Sequence, residues 1–286
     1  MTGARQDILI AGPPRSGTTL TCHLLNKVPD TVALHEPMKV KRFAELASRD
    51  EICESIRRFC EEQRASIHER KRAISKQVEG VVPDNPAAAG REEGRLRPSV
   101  ASKGEIVIDK PLSSDFALVL KHNAAFAALL GDLVERFPVY AVVRNPLSTI
   151  SSWNTVAYNA QTGHVPAGER LDPELKAKLA SLDDPLDRQL HVLGWFHAQF
   201  RRYLPDERIL RYESIIESGG RALSVVRPGA IELSEPLESR NQSGLYDRES
   251  MLRVGERLLD SDGAYWETYP RESVERLLQT TGARTG

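Results

Sequence analysis

A run of glycine, proline and hydroxyl residues near the start of the chain has the composition of a phosphate-binding loop. It reads GPPRSGTT from Gly12 to Thr19 and follows the short apolar run Asp7–Ala11. Glycines allow the backbone to fold closely, and N–H groups at the start of a helix bind anions. We therefore expect the N–H groups of Gly17, Thr18 and Thr19 to face an anionic group.

The cation of this loop is Arg15. Loops that bind nucleoside triphosphates with Mg²⁺ carry Lys at the place of Thr18, because that Lys reaches the outer phosphates. Thr18 cannot do so, and the loop therefore predicts a phosphate ligand whose charge is distributed differently. A simple Gly/Pro turn ahead of a helix is the alternative, which the predicted strand before it and helix after it disfavour.

The elements that must position this loop alternate between strands and helices. Short apolar runs predict strands at Asp7–Ala11, Thr31–Leu34, Glu105–Ile108, Val139–Val143 and Arg208–Arg211. Amphipathic stretches predict helices from Thr18, from Pro146, from Pro185, and through much of the region between Lys110 and Phe137. Strands that alternate with helices favour a parallel sheet covered on both faces, so we predict an α/β fold.

Residues 38–103 interrupt this alternation. Met38–Gln77 is charged and helix-prone, whereas Glu79–Lys103 is rich in Gly, Pro, Ala and charge. The second stretch predicts a mobile loop or a lid that orders on binding. Because the sequence contains no internal repeat and no convincing linker, we expect residues 1–286 to form a single domain with an insertion at about 38–103.

Composition excludes several classes of protein. With 39 Lys and Arg against 40 Asp and Glu, the chain lacks the basic excess of a nucleic-acid-binding protein. Its apolar runs are too short to span a bilayer, its first residues lack the apolar core of a signal peptide, and three cysteines form no disulfide framework. We therefore expect a cytoplasmic protein, compatible with a homodimer. Neither HExxH nor CxxC occurs, so no metal is expected.

The stretch PRSGTTL after a short strand resembles the 5′-phosphosulfate loop of sulfotransferases that use 3′-phosphoadenosine 5′-phosphosulfate (PAPS). Arg in this loop is similar to the form found in tyrosylprotein and bacterial sulfotransferases. A second element resembles the pair that binds the 3′-phosphate in that family: Arg144 ends VYAVV, and Ser152 lies eight residues later, about two helical turns on. The resemblance implies a P-loop-like parallel sheet flanked by helices on both faces. It also implies a set of residues on the 5′ side: Arg15, Ser16, Gly17, Thr18, Thr19 and Leu20.

Transfer of a sulfuryl group to a hydroxyl calls for a general base. The resemblance assigns this role to Glu36, because a Glu in the same neighbourhood acts as the base in tyrosylprotein and heparan sulfate sulfotransferases. Pro37 biases Glu36 towards an extended backbone. His35 and Asp109 remain alternative bases; neighbours on a strand point oppositely, so we expect only one of His35 and Glu36 to face the site.

Three further residues are implied by the resemblance. Lys110, in VIDKPLSS, is expected to act beside Arg15 on the bridging oxygen and the sulfuryl group. Tyr212, in ILRYESII, is expected near the adenine, and Arg240, in SRNQSG, on the 3′-phosphate.

The sequence thus predicts a PAPS-dependent sulfotransferase that acts on a hydroxyl of a small molecule, such as a metabolite, a carbohydrate or a lipid. Two alternatives stay open: a P-loop kinase of a small metabolite, and a non-catalytic nucleotide-binding protein.

Overall fold

The computed structural model describes residues 6–90 and 95–282. Its strands are β1 (Asp7–Ala11), β2 (Thr31–His35), β3 (Arg72–Gln77), β4 (Ser102–Val107), β5 (Ala117–Lys121), β6 (Val139–Val143) and β7 (Ile209–Arg211). Its α-helices are α1 (Thr18–Leu25), α2 (Arg49–Arg70), α3 (Asn123–Ala128), α4 (Leu130–Leu133), α5 (Pro146–Trp153), α6 (Pro166–Glu169), α7 (Pro173–Ala180), α8 (Pro185–Tyr203), α9 (Tyr212–Glu217), α10 (Arg248–Leu259) and α11 (Arg271–Gly282). Short 3-10 helices lie at Val40–Glu45, Asn159–Thr162, Asp206–Arg208, Arg221–Val225, Pro228–Glu232 and Ala264–Glu267.

The main sheet of the described residues has the strand order β2-β5-β1-β6-β7, and every neighbouring pair is parallel. All residues of β2 and β5 are buried, and since successive side chains point to opposite faces, both faces of the sheet are covered. The predicted α/β fold, a parallel sheet flanked by helices, is confirmed.

One strand of this sheet is not the one that the sequence predicted. β4, close to the predicted strand Glu105–Ile108, pairs antiparallel with β3 in a separate ribbon. The main sheet instead takes β5 from a region predicted to be helical. The apolar run FALVL continues into the apolar helix α3, and periodicity cannot separate a buried strand from a buried helix in such a run.

The insertion at 38–103 is attached to the body of the protein. In α2 the Arg64 guanidinium donates to Asp7 Oδ1 at 2.8 Å and to Phe116 O at 2.7 Å, which ties the helix to the main sheet. Within the stretch predicted to be a mobile loop or lid, Arg97 N donates to Thr155 O, and Ala157 N donates to Arg97 O. Residues 79–90 and 95–101 form turns, bends and isolated bridges, and residues 91–94 of the predicted loop lie outside the described part of the chain. That residues 1–286 form a single domain remains a prediction.

The parallel arrangement of the strands decides where the candidate functional residues lie. Because the carboxyl ends of parallel strands meet at one edge of a sheet, the residues that follow them are brought together. These residues are Gly12 after β1, Glu36 after β2, His122 after β5, Arg144 after β6 and Tyr212 after β7.

Candidate functional site

The loop between β1 and α1 requires glycine at both ends. A Cβ at Gly12 would lie 2.4 Å from Val142 O, and a Cβ at Gly17 would lie 2.7 Å from Tyr212 Cδ2. Gly17 also has φ 95°, in the left-handed region that favours glycine. It caps α1 without a side-chain hydrogen bond, so the first N–H groups of the helix are available to an anion.

Two side chains fix this loop to β6 and α5. Ser16 is buried, and its hydroxyl hydrogen-bonds Pro13 O at 2.8 Å and Val142 O at 2.7 Å. The indole N–H of Trp153 donates to Pro14 O at 2.6 Å. The Ser16 side chain therefore holds the loop in place and does not line the cavity beside it.

This cavity has a volume of about 670 Å³, within the range of about 300–1,000 Å³ typical of ligand sites. Most of the predicted site residues line it together: Arg15, Gly17, Thr18, Thr19, Leu20, Glu36, Arg144, Tyr212 and Arg240. Ser152 joins them indirectly, since its hydroxyl accepts a hydrogen bond from Arg15 Nε at 3.3 Å.

Arg15 is held by neutral partners. Its backbone has φ 69°, its Nε donates to Ser152, and its Nη1 donates to Asn85 Oδ1 at 2.8 Å. Burial lowers the pKa of Arg15 to about 10, so the guanidinium remains charged at neutral pH. Arg15 is half-buried and the partners named here are uncharged, so an anionic ligand would give its guanidinium a charge-assisted partner.

Arg144 has a similar environment at the end of β6. Its guanidinium donates to Asn241 Oδ1 at 2.8 Å, to Arg240 O at 2.5 Å and to Arg15 O at 3.2 Å. It also lies over the ring of Tyr212, 4.7 Å from the centroid. These acceptors are uncharged, and the hydrogen bond to Arg15 O places the two arginines side by side in one cleft.

Tyr212 and the segment around Arg240 form a further wall of the cavity. Arg240 N donates to the Tyr212 hydroxyl at 3.1 Å, which joins α9 to the segment after residue 236. The apolar residues Leu20, Ile216 and Leu237 line the cavity with them. This part of the cavity therefore offers an aromatic and aliphatic surface.

Glu36 carries a lysine on each carboxylate oxygen. Oε1 accepts from Lys121 Nζ at 2.9 Å, and Oε2 accepts from Lys76 Nζ at 2.5 Å. Lys121 ends β5 and its side chain is 2% exposed, whereas Lys76 lies on β3 and is 37% exposed. Burial alone would raise the pKa of Glu36, but the Lys121 and Lys76 charges outweigh it and hold that pKa well below its usual range.

The backbone of Glu36 is not extended, so the prediction from Pro37 is wrong. Glu36 has φ 44°, a conformation that costs about 1–3 kcal/mol for a residue with a side chain. The turn is held by Glu36 N donating to Lys121 O and by Met38 N donating to His122 Nε2.

This turn also breaks the alternation expected of a strand. His35 and Glu36 both line the cavity, contrary to the expectation that only one would face it. Burial, together with the Lys121 charge, holds the pKa of His35 well below its usual value. Its imidazole is therefore neutral at physiological pH.

Lys110 is not brought to the cavity. Its Nζ donates to Asn26 O at 2.8 Å and to Val28 O at 3.1 Å, where it ties down the end of α1. The physical reason is that β4, which precedes it, does not belong to the main sheet. Asp109, the alternative base, is exposed on the same segment and does not line the cavity. The lysine beside Glu36 at a strand end is Lys121.

Among the side chains that bind Arg15 and Glu36, the sequence reasoning missed Lys76, Asn85 and Lys121. Lys121 follows a buried strand, so a correct position for β5 would have revealed it. Lys76 and Asn85 lie in the insertion, where no motif marks them.

Within residues 6–90 and 95–282, no group of three or more His, Cys, Asp and Glu side chains is arranged to hold a metal ion. In the same part of the chain, no helix is long and apolar enough to cross a membrane.

Comparisons with known proteins give structural similarity only. No family model matches the sequence, and no curated protein matches it. The chain is similar to sulfotransferase STF9 from Mycobacterium avium, with 13% identity, coverage of 94% of this chain and 78% of that chain, and a TM-score of 0.36. It is also similar to sulfotransferase STF1 from Mycobacterium tuberculosis H37Rv, with 16% identity, coverage of 91% and 78%, and a TM-score of 0.36. Similarity at this level does not decide the reaction, which must be argued from the site.

Proposed function

We propose that this protein is a sulfotransferase that moves the sulfuryl group of PAPS to a hydroxyl of a small molecule. The observation that carries the proposal is the common cavity of Arg15, Arg144 and Glu36. Two arginines with uncharged partners suit a ligand with two phosphorylated ends, and a carboxylate in the same cavity suits proton removal.

The 5′ end of PAPS is assigned to the loop and the 3′-phosphate to Arg144. In this assignment Arg15, Gly17, Thr18 and Thr19 bind the phosphosulfate through a guanidinium and the N–H groups of α1. Arg144 exchanges the carbonyl of Arg240 for the 3′-phosphate, a stronger and charge-assisted partner. Ser152 orients Arg15 from the side, and the adenine lies against Tyr212 and Leu20.

The transfer itself forms one bond from the acceptor oxygen to sulfur and breaks the bond from sulfur to the 5′-phosphate oxygen. The acceptor proton goes to Glu36. Arg15 and Lys121 stabilise the negative charge that develops on the leaving phosphate, the role that the resemblance implied for Lys110.

The lysines also set the strength of the base. A carboxylate paired with Lys76 and Lys121 takes up a proton poorly, because both cations favour its ionised form. An anionic sulfuryl group in the cavity would draw a lysine towards itself. Glu36 then becomes the better proton acceptor at the moment when the acceptor hydroxyl is beside sulfur.

The experiment that tests the proposal compares ligands and one variant. We expect the desulfated product, 3′-phosphoadenosine 5′-phosphate, to raise the melting temperature of the protein, and ATP with Mg²⁺ to raise it less. Stabilisation by ATP–Mg²⁺ alone would favour the kinase alternative and contradict the proposal.

The variant separates an enzyme from a non-catalytic binder. Glu36→Gln is expected to lower the rate of sulfate transfer by about 10²–10⁴-fold while it keeps affinity for the product nucleotide. Nucleotide binding without any sulfate transfer by the unmodified protein, across alcohols and phenols, would support the binding protein instead.

A further inference from the structure

One part of the cavity is not used by the nucleotide in the proposed function. We infer that it binds the acceptor, and that the acceptor is an uncharged alcohol or phenol with an apolar body. The inference rests on the proposed function and adds the class of substrate. It is based on a surface that we call the acceptor wall, formed by Val40, Ala124, Ala125, Val165, Pro166 and Ala167.

The acceptor wall lies beside the Glu36 carboxylate. Helix α3 begins two residues after Lys121, the residue whose Nζ binds Glu36 and whose carbonyl accepts the Glu36 N–H. Ala124 and Ala125 are in the first turn of this helix. Met38 N donates to Nε2 of His122, the residue before α3, and this keeps the segment that leads to Val40 next to the start of the helix. A hydroxyl held against this wall is therefore within the neighbourhood of the base.

Helix α6 completes the acceptor wall by packing directly on α3. A Cβ at Gly168 would lie 3.3 Å from Ala124 Cβ, so the two helices approach closely at this point. Glu169 fixes the start of α6, because its carboxylate accepts from Val165 N at 2.7 Å and lies 3.3 Å from His164 Nδ1. These contacts fix the position of the wall, and its small side chains leave space in front of it.

The chemistry of the acceptor wall favours one class of acceptor. All six side chains are apolar, and none carries a hydrogen-bonding group. The several hydroxyls of a sugar would lose hydrogen bonds to water against these methyl groups without replacing them, which is unfavourable. An anionic acceptor would meet no cation among these six residues, and the two lysines at Glu36 already pair with its carboxylate. An apolar body gains by leaving water, as in most small-molecule sites.

Polar residues that flank the wall include Asn123, whose Oδ1 accepts from the Thr18 hydroxyl at 3.2 Å. Asn159, Tyr158 and His164 line the cavity next to the wall, and His164 lies against Glu169. A small number of polar groups around an apolar surface fixes the orientation of a ligand that carries one or two hydroxyls.

The test measures binding of three probes by saturation-transfer NMR, with and without 3′-phosphoadenosine 5′-phosphate. The probes are 2-naphthol as an apolar phenol, glucose as a polyol and 4-hydroxybenzoate as an anion. We expect 2-naphthol to bind about tenfold or more tightly than either of the others. Equal or tighter binding of glucose or 4-hydroxybenzoate would overturn the inference.

Variants tie the binding to the acceptor wall. Ala167 is only half-buried, so Ala167→Asp should fold and weaken 2-naphthol binding by about tenfold or more, since the carboxylate is desolvated by the ligand. Ala177→Asp, on the exposed surface of α7, is the matched control and should leave binding unchanged. Ala167→Leu is the second variant, used if Ala167→Asp misfolds. Its larger side chain fills space in front of the wall, so it should weaken binding of 2-naphthol more than binding of the smaller phenol. Unchanged naphthol binding in the folded Ala167 variants would contradict the inference.

Failure of this inference is distinguishable from failure of the proposed function. Probe binding is measured without turnover. If 2-naphthol binds at the wall but no sulfate is transferred, the class of ligand stands and the sulfotransferase assignment fails. If sulfate is transferred to glucose in preference to 2-naphthol, the assignment stands and this inference fails.

Discussion

Removal of Lys76 tests the proposed effect of this lysine on the proton affinity of Glu36. Lys76 Nζ lies 2.5 Å from Glu36 Oε2, and the second oxygen of Glu36 is held by Lys121. Lys76→Met removes one of the two neighbouring cations while the methionine side chain keeps most of the volume. Because positive charge holds the pKa of Glu36 well below its usual range, we expect the pKa of Glu36 to rise in this variant.

The magnitude follows from the geometry and exposure of the pair. A charge-assisted hydrogen bond contributes about 1.5–3 kcal/mol, and an exposed ion pair about 0.2–1 kcal/mol. Lys76 is 37% exposed, so solvent screening places the pair between these cases, at about 1–1.5 kcal/mol. About 1.4 kcal/mol corresponds to tenfold in proton affinity, so the acid limb of the rate profile should move to higher pH by about one pH unit.

The assay has two independent readouts and a matched control. The Glu36 carboxyl carbon is titrated by ¹³C NMR, with Glu36→Gln to assign its signal, and the pH dependence of sulfate transfer is measured in parallel. Lys103→Met is the control, because Lys103 Nζ donates to Met38 O at 2.8 Å and not to Glu36. A shift of equal size in both variants, or no shift in Lys76→Met, would refute the reasoning.

Three further outcomes are expected. Lys121→Met should lower the rate of sulfate transfer by at least about tenfold and affect product-nucleotide binding less. Lys110→Met should keep the rate and lower only the melting temperature, because Lys110 binds the end of α1. Steady-state kinetics and calorimetry on both variants test this, and the reverse pattern would place Lys110 in the site. Asn85→Ala should weaken product-nucleotide binding several-fold. Asn85→Asp should weaken it more, because an aspartate would pair with Arg15 and compete with the anionic nucleotide. Tighter nucleotide binding by Asn85→Asp would contradict the role given to Arg15. In unfolding experiments, ionised Glu36 should stabilise the native protein above its unfolded-state pKa, and this contribution should be lost as the pH falls towards its lower native pKa. Lys76→Met should reduce the contribution. The unfolding free energies of Lys76→Met and the unmodified protein should therefore converge at low pH.

The loop from Gly12 to Thr19 could be predicted because its signals are local. Glycine at positions 12 and 17 is required by close backbone approach and by a left-handed φ, and both requirements are visible as spacing in the sequence. The helix after Arg144 is likewise local, since Pro146 stands in its first turn and Asn145 accepts from Leu147 N. These features place Arg15 and Arg144 at the ends of neighbouring parallel strands.

The part of the site around Glu36 was harder to predict because it depends on tertiary contacts. The resemblance implied Lys110, which follows the predicted strand near β4. Because β4 lies outside the main sheet, the lysine that contacts Glu36 from a strand end is Lys121 instead. Lys76 reaches Glu36 from an antiparallel ribbon 40 residues away along the chain. The conformation of Glu36 is set by hydrogen bonds from its turn to β5 and His122, which no local propensity predicts.

The measurement that tests the central claim most directly is a calorimetric comparison of two nucleotides on the unmodified protein and on Arg144→Ala. The nucleotides are 3′-phosphoadenosine 5′-phosphate and adenosine 5′-phosphate, which differ only in the 3′-phosphate. If Arg144 binds that phosphate, the variant should lose about tenfold or more in affinity for the first nucleotide and little for the second. An equal loss for both nucleotides, or no binding of either by the unmodified protein, would contradict the claim that one cleft holds both phosphorylated ends.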